Sequence, residues 1–233
     1  MIKTIAFDAD DTLWHNECLY AETKRKLANL LSGHRAPEFT IQLLDQTEIH
    51  NLQYYGYGIK SFALSMIETA IEVTNGTIQG HELEAIINYT KDTLSANVQL
   101  IPGAEQTVSE LSAGYKLIMI TKGDLFEQDR KVKLSGLADY FQHIEIVSDK
   151  SSAGYLGLLE KYRIKPREFL MVGNSLRSDI LPVVAIGAQA VYIPYPDTWE
   201  HENTIEESID ETSFYRIETI DQLPDLIRHL EKS

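Results

Sequence analysis

The sequence predicts an α/β protein whose parallel sheet is interrupted after its first strand by an all-helical insertion. Short apolar runs alternate with segments of helical period along most of the chain. Three of those runs are apolar almost without a break, the pattern of strands covered by helices on both faces. Between residues 16 and 97 the alternation stops, and only helical patterns remain.

The strand-like runs are 3–7 (KTIAF), 116–120 (KLIMI), 143–147 (HIEIV), 168–172 (EFLMV) and 189–193 (QAVYI), rich in Ile, Val, Leu and Met. The uninterrupted ones are 3–7, 116–120 and 168–172. Helical periodicity occupies 103–113, 124–135, 152–162 and 176–187, and Gly114, Gly136 and Gly187 stand where helices end. Strand and helix in alternation argue for a parallel sheet. The insertion carries helical patterns at 17–32, 40–54, 59–74 and 80–96, punctuated by Gly33, Pro37, Gly56, Gly58, Gly76 and Gly80. The expected division is therefore a core of 1–15 and 98–233 and a helical domain of 16–97. The polar, acidic segment 196–213 reads as a surface loop.

The chain has 233 residues, 43% of them hydrophobic, enough for one large domain or one with a smaller insertion. Its formal net charge of −14 disfavours a nucleic-acid partner, which needs a basic footprint. An anionic substrate would need a local positive focus from a cation or from placed Lys and Arg residues. The single cysteine, Cys18, forms no internal disulfide and no cysteine-based zinc cluster, and no histidine at useful spacing supports it as a nucleophile. Met1–Thr4 leads into a strand with no signal-peptide pattern, and no apolar stretch approaches the ~20 residues that span a membrane. The expectation is a soluble, cytoplasmic protein without a membrane partner. Oligomeric state has no signature here.

The chemistry concentrates at strand ends, where ligands gather in open α/β sheets. The first strand runs into Asp8, Asp10 and Asp11. Carboxylates this close raise one another's pKa unless a cation or hydrogen bonds compensate, and a hard divalent ion such as Mg²⁺ relieves the strain. Asp11 also suits a turn or helix cap. The second strand ends in Thr121, Lys122, Gly123 and Asp124, a hydroxyl and main-chain amides suited to a phosphate oxygen. The third leads to Lys150, and the fourth ends in Gly173, Asn174 and Ser175 with Asp179 beyond.

Together, "DADDT" at 8–12, "ITKGD" at 120–124, Lys150 and "VGNSLRSDI" at 172–180 resemble the four motifs of the haloacid dehalogenase superfamily. The similarity is to its phosphatase branch with a helical cap after the first strand, and it covers essentially the whole chain. It implies a Rossmann-like core and a Mg²⁺-dependent phosphomonoester hydrolase acting on a small phosphorylated metabolite. Asp8 would be the nucleophile that forms an aspartyl-phosphate. Asp10 would be acid and then base, a task that a raised pKa would suit. Thr121 and Lys150 would neutralise the phosphoryl oxygens, with Lys122 and Gly123 also binding substrate. Mg²⁺ would rest on Asp8, the Asp10 carbonyl and the last motif, where Asn174 stands in place of the family's usual Asp and Asp179 is a further candidate.

Three other readings share this fold: a phosphomutase, a haloacid dehalogenase, and a non-catalytic phosphate-binding protein. Asp10 argues against the dehalogenase, whose chemistry needs no proton donor two residues after the nucleophile. The aromatic, glycine-containing stretch 53–62, with Lys60, is either a substrate-contacting loop or packing within the helical domain. Trp14 and His15, just after the first motif, would shape the pocket floor or the hinge. His50, His81 and His201 lack metal-like spacing and read as surface or packing residues.

Overall fold

A computed structural model describes residues 1–196, 199, 202 and 210–232. The chain divides into two compact units, 1–17 with 98–122 and 128–233, and 18–97 with 123–127.

The first unit is built on a parallel sheet of strands β1 (Thr4–Phe7), β2 (Lys116–Lys122), β3 (His143–Val147), β4 (Phe169–Gly173), β5 (Gln189–Tyr192) and β6 (Tyr215–Arg216). Their order is β3-β2-β1-β4-β5-β6. The three uninterrupted apolar runs form the adjacent interior strands β2, β1 and β4, and β3, with polar His143 and Glu145, is an edge. Residues alternate between faces along each strand. Ile5, Phe7, Leu117, Met119, Leu170 and Val172 enter one core, with Val108 of α5 (Ala104–Ser112) and Ile227 of α9 (Leu223–Leu230). Ala6, Ile118, Ile120, Phe169 and Met171 enter the opposite core, with Tyr155 and Leu159 of α7 (Ser152–Lys161) and Val183 of α8 (Leu181–Val184). Because both faces are dry, both parities of each central strand must be apolar.

From β1 the chain order runs outward through β2 and β3 on one side and through β4 and β5 on the other. Such a reversal opens a crevice at the carboxyl ends of the strands. Phe7 pairs with Met119 on one side and Val172 on the other, so the residues after these strands reach the crevice together.

The second unit contains α1 (Glu17–Leu30), α2 (Pro37–Tyr55), α3 (Ile59–Val73) and α4 (Gly80–Ser95) around Leu27, Leu44, Phe62, Met66 and Ile86. Phe62 meets the Tyr20 ring at 4.9 Å, whereas Tyr54 and Tyr55 are exposed, so only part of the 53–62 stretch is packing. Gly123–Glu127 associates with this unit: the Ile59 amide donates to Glu127 Oε2 at 2.8 Å, and Lys60 pairs with Asp124 at 2.9 Å. Gly58, at φ +114°, lies so near Asp124 that a Cβ there would sit 2.8 Å from that residue's own Cβ. No described helix is long and apolar enough to cross a membrane.

Two parts of the core had no sequence forecast. Strand β6 has only two residues, too few for a period, and α9 lies where no motif drew attention. The segment 176–187 was expected as one helix, but it opens with a π-helical turn at Leu176–Ile180 before α8. His201 and most of 196–213 lie outside the described residues, although Glu202 is described.

Phe7 is fully buried and meets Phe141 edge-on at 6.1 Å. Phe7→Ala should lower unfolding free energy by about 3–5 kcal/mol in urea titrations, the range for emptying a large core site. A loss below about 1 kcal/mol would mean that this core collapses around the gap.

Candidate active site

The loop after β1 is tightly wound. Leu13 N donates to the Ala9 carbonyl at 2.8 Å and Asp11 N to the Trp14 carbonyl at 2.7 Å. Asp11 adopts φ +61°, a left-handed conformation that Asp tolerates better than most residues. Its carboxylate accepts from the amides of Asn16 at 2.8 Å and Glu17 at 3.1 Å, capping the start of α1 as its position in the sequence suggested. Burial pushes Asp11 up to about 6 against the pull of these amides.

Asp8 lies just past β1, buried. Lys150 Nζ donates to Asp8 Oδ1, and also to Asp179 Oδ1 at 2.7 Å. Thr12 Oγ1 donates to Asp8 Oδ2 at 3.0 Å. Burial raises Asp8 above the ordinary carboxylate range, in opposition to Lys150 and reinforced by Asp179. Burial alone would lower Lys150, but Asp179 and Asp8 outweigh it and hold the ammonium charged.

Asp10 has a different environment. Its Oδ1 accepts from Trp14 Nε1 at 2.7 Å and its Oδ2 from Gln128 Nε2 at 2.8 Å. Lys131 Nζ reaches both oxygens, at 2.9 and 2.8 Å. Burial raises Asp8 and Asp11, and three hydrogen-bond donors ring Asp10. Gln128 and Lys131 lie three residues apart on α6 (Leu125–Ser135), hence on one helix face. That spacing is their only sequence signal, and nothing marked the face as functional.

Thr121 is fully buried at the penultimate position of β2, and its hydroxyl has no hydrogen-bond partner among the described residues. Such orphaned hydroxyls are uncommon and call for a ligand or water. Lys122 Nζ donates to Glu202 Oε1 at 2.6 Å and to Ser178 Oγ at 3.0 Å. Glu202 Oε2 in turn accepts from Ser175 Oγ at 2.7 Å and Ser178 Oγ at 2.5 Å. Burial would raise Glu202, but Lys122 and the two hydroxyls pull it down to about 2.

Asp179 engages both its oxygens, Oδ1 with Lys150 and Oδ2 with the Ser175 amide at 3.0 Å. One end of the Asn174 amide stands 3.3 Å from Asp8 Oδ2 and 3.2 Å from the Asp10 carbonyl oxygen. With nitrogen at that end, both are hydrogen bonds; with oxygen there, three hard oxygens converge as a magnesium ion would require. The described residues contain no cluster of three or more His, Cys, Asp or Glu suited to a metal. A cation here would thus rest on one carboxylate, one carbonyl and one amide, and that donor set fits Mg²⁺.

Asp8, Asp10, Thr121, Lys122, Lys150, Asn174 and Asp179 all belong to the sheet unit. Lys60 and Gly123 belong to the helical unit, where Lys60 is exposed and paired with Asp124. His15 Nδ1 lies 2.9 Å from the Tyr195 hydroxyl.

An aspartate and a lysine thus meet at the switch point of a doubly wound α/β core. Residues 2–187 match the model of the haloacid dehalogenase-like hydrolases, and the chain belongs to that family. It is 27% identical over 245 residues to a glyceraldehyde 3-phosphate phosphatase of Pyrococcus furiosus, covering 99% of this chain and 94% of the relative. It is 28% identical to a phosphoglycolate phosphatase of Vibrio vulnificus, covering 83% and 84%. Among solved structures it resembles a haloacid dehalogenase-like hydrolase of Xanthomonas campestris with a TM-score of 0.88 at 37% identity, covering 98% of this chain and 91% of that one. An L-2-haloacid dehalogenase of Xanthobacter autotrophicus, with a TM-score of 0.69 at 18% identity, shares the fold.

Two predictions follow from this geometry. A Cβ on Gly173 would lie 2.3 Å from Asp179 Oδ2, a buried group tied to Lys150. Gly173→Ala should therefore cost about 1–3 kcal/mol of stability in chemical denaturation, as overpacking does. No loss would mean that Asp179 is free to move. Glu202 is depressed in the folded state, so its contribution is complete above pH 4.5 and is lost as pH falls toward 2. Wild type should exceed Glu202→Gln by up to about 3 kcal/mol at pH 6, the gap closing near pH 2. A pH-independent gap would contradict the ion pair.

Proposed function

We propose that this protein is a Mg²⁺-dependent phosphomonoester hydrolase of small phosphorylated metabolites, working through an aspartyl-phosphate on Asp8. The observation that carries this reading is the buried Thr121 hydroxyl, which lacks a hydrogen-bond partner among the described residues and stands one residue beyond the level of Asp8 on the adjacent strand. Phosphoryl oxygens need such a donor, and Lys150 supplies the cationic counterpart. The phosphatase names of the curated relatives support it.

In this reading a carboxylate oxygen of Asp8 attacks phosphorus while the bond to the ester oxygen breaks. Asp10, in its protonated form, gives its proton to the departing alcohol. A water then attacks the same phosphorus, Asp10 takes up a proton from it, and the Asp8 carboxylate is released with inorganic phosphate. Asp10 must leave some of its donors to carry a proton, so Lys131 and Gln128 hold it in reserve between these steps. Asp8, the Asp10 carbonyl and Asn174 would hold Mg²⁺, which when bound offsets negative charge on the phosphoryl group. The helical unit would act as a cap that selects substrate, and the substrate class would include the three-carbon and two-carbon phosphates of the relatives. The protein would work in the cytoplasm.

With p-nitrophenyl phosphate and Mg²⁺, the protein should release nitrophenol and inorganic phosphate. Asp8→Asn should reduce that turnover by at least about 10³-fold with an unchanged circular dichroism spectrum. Activity within about tenfold of wild type would remove Asp8 from the nucleophile's role.

A further inference from the structure

Beyond the phosphoryl-binding groups stands a second arrangement built to hold an anion. We propose that Lys122, Ser175 and Ser178 form a subsite for a carboxylate on the substrate, occupied by Glu202 in the free protein, so that phosphorylated organic acids are the favoured substrates. The inference rests on the phosphatase reading and names the substrate class for that same site.

Topology places the subsite beside the chemistry. Strands β2 and β4 flank β1, and Phe7 is level with Met119 and Val172. Lys122 and Ser175 each lie three residues farther along their chains, so the Lys122–Glu202–Ser175 bridge crosses the end of the strand that carries Asp8.

The chemistry is that of carboxylate recognition. Oε1 of Glu202 accepts from an ammonium and Oε2 from two hydroxyls, so both oxygens are satisfied. The Lys122 and Glu202 side chains are only 11% and 13% exposed, which strengthens charge-assisted hydrogen bonds. The donors are positioned by contacts of their own. Ser175 Oγ accepts from the Ser178 amide at 3.0 Å, the Ser175 amide donates to Asp179, and the Lys122 carbonyl accepts from Gln128 Nε2 at 2.8 Å. In a chain of net charge −14, a preset cation at the crevice is the local focus that an anionic substrate requires. Glycolate phosphate carries a carboxylate at its far end, whereas glyceraldehyde 3-phosphate is uncharged there. A substrate carboxylate can therefore displace Glu202 like for like, and a neutral terminus cannot.

The test compares kcat/KM for 2-phosphoglycolate and glycerol 3-phosphate in wild type, Glu202→Ala and Lys122→Met. Glu202→Ala should lower KM for phosphoglycolate by about tenfold and leave KM for glycerol 3-phosphate within about twofold. Lys122→Met should erase the preference of wild type for phosphoglycolate. Equal changes for both substrates, in either variant, would make Glu202 a structural tie and overturn the subsite. If no variant hydrolyses p-nitrophenyl phosphate, the phosphatase reading fails on its own, and calorimetric titration decides the subsite. Phosphoglycolate should then bind Glu202→Ala about tenfold more tightly than wild type, and equal affinities would refute it.

Discussion

One ammonium organises the site: Lys150 stands between the carboxylates of Asp8 and Asp179, in contact with both. All three groups are buried, so none can rely on water for compensation. Removing the lysine would leave two desolvated carboxylates facing each other, a cost of several kcal/mol. The arrangement therefore requires that β1, Lys150 after β3, and the turn after β4 arrive at one place, and the sheet order satisfies this. Gly173 completes it, because any side chain there would fill the space that Asp179 occupies.

Around that triad the neighbouring aspartates diverge by environment. Asp8 is desolvated and faces a single cation together with another carboxylate. Asp10, two residues later, meets Trp14, Gln128 and Lys131. Asp11 turns away to cap α1. Three like side chains in four positions thus take three separate tasks, and a tight left-handed turn at Asp11 is what points them apart. The electrostatic crowding written in "DADDT" is relieved by direction as much as by charge.

Much of this was legible in the sequence for physical reasons. Central strands must be apolar on both faces, so β1, β2 and β4 announced themselves, and groups at strand ends follow from them. The helical insertion was visible because Gly and Pro punctuate a 3.6-residue period. What escaped had no local signature. Lys131 and Gln128 reach Asp10 from the middle of a helix whose polar face reads as solvent-exposed. Glu202 sits in an acidic stretch that reads as surface, yet its side chain lies mostly buried against Lys122. The two-residue β6 and the π-helical turn carrying Asp179 depend on tertiary pairing and on Ser175 hydrogen bonding, neither of which periodicity encodes.

The central claim is that the Asp8 carboxylate takes the phosphoryl group covalently, and chemical trapping tests it most directly. Asp10→Asn should be mixed with p-nitrophenyl phosphate and Mg²⁺, whose good leaving group needs no proton, then quenched in acid and reduced with borohydride. Peptide mass spectrometry should find homoserine at position 8, the product expected from reducing an aspartyl-phosphate. Homoserine at another aspartate, or an unmodified Asp8 despite a burst of nitrophenol, would contradict the account.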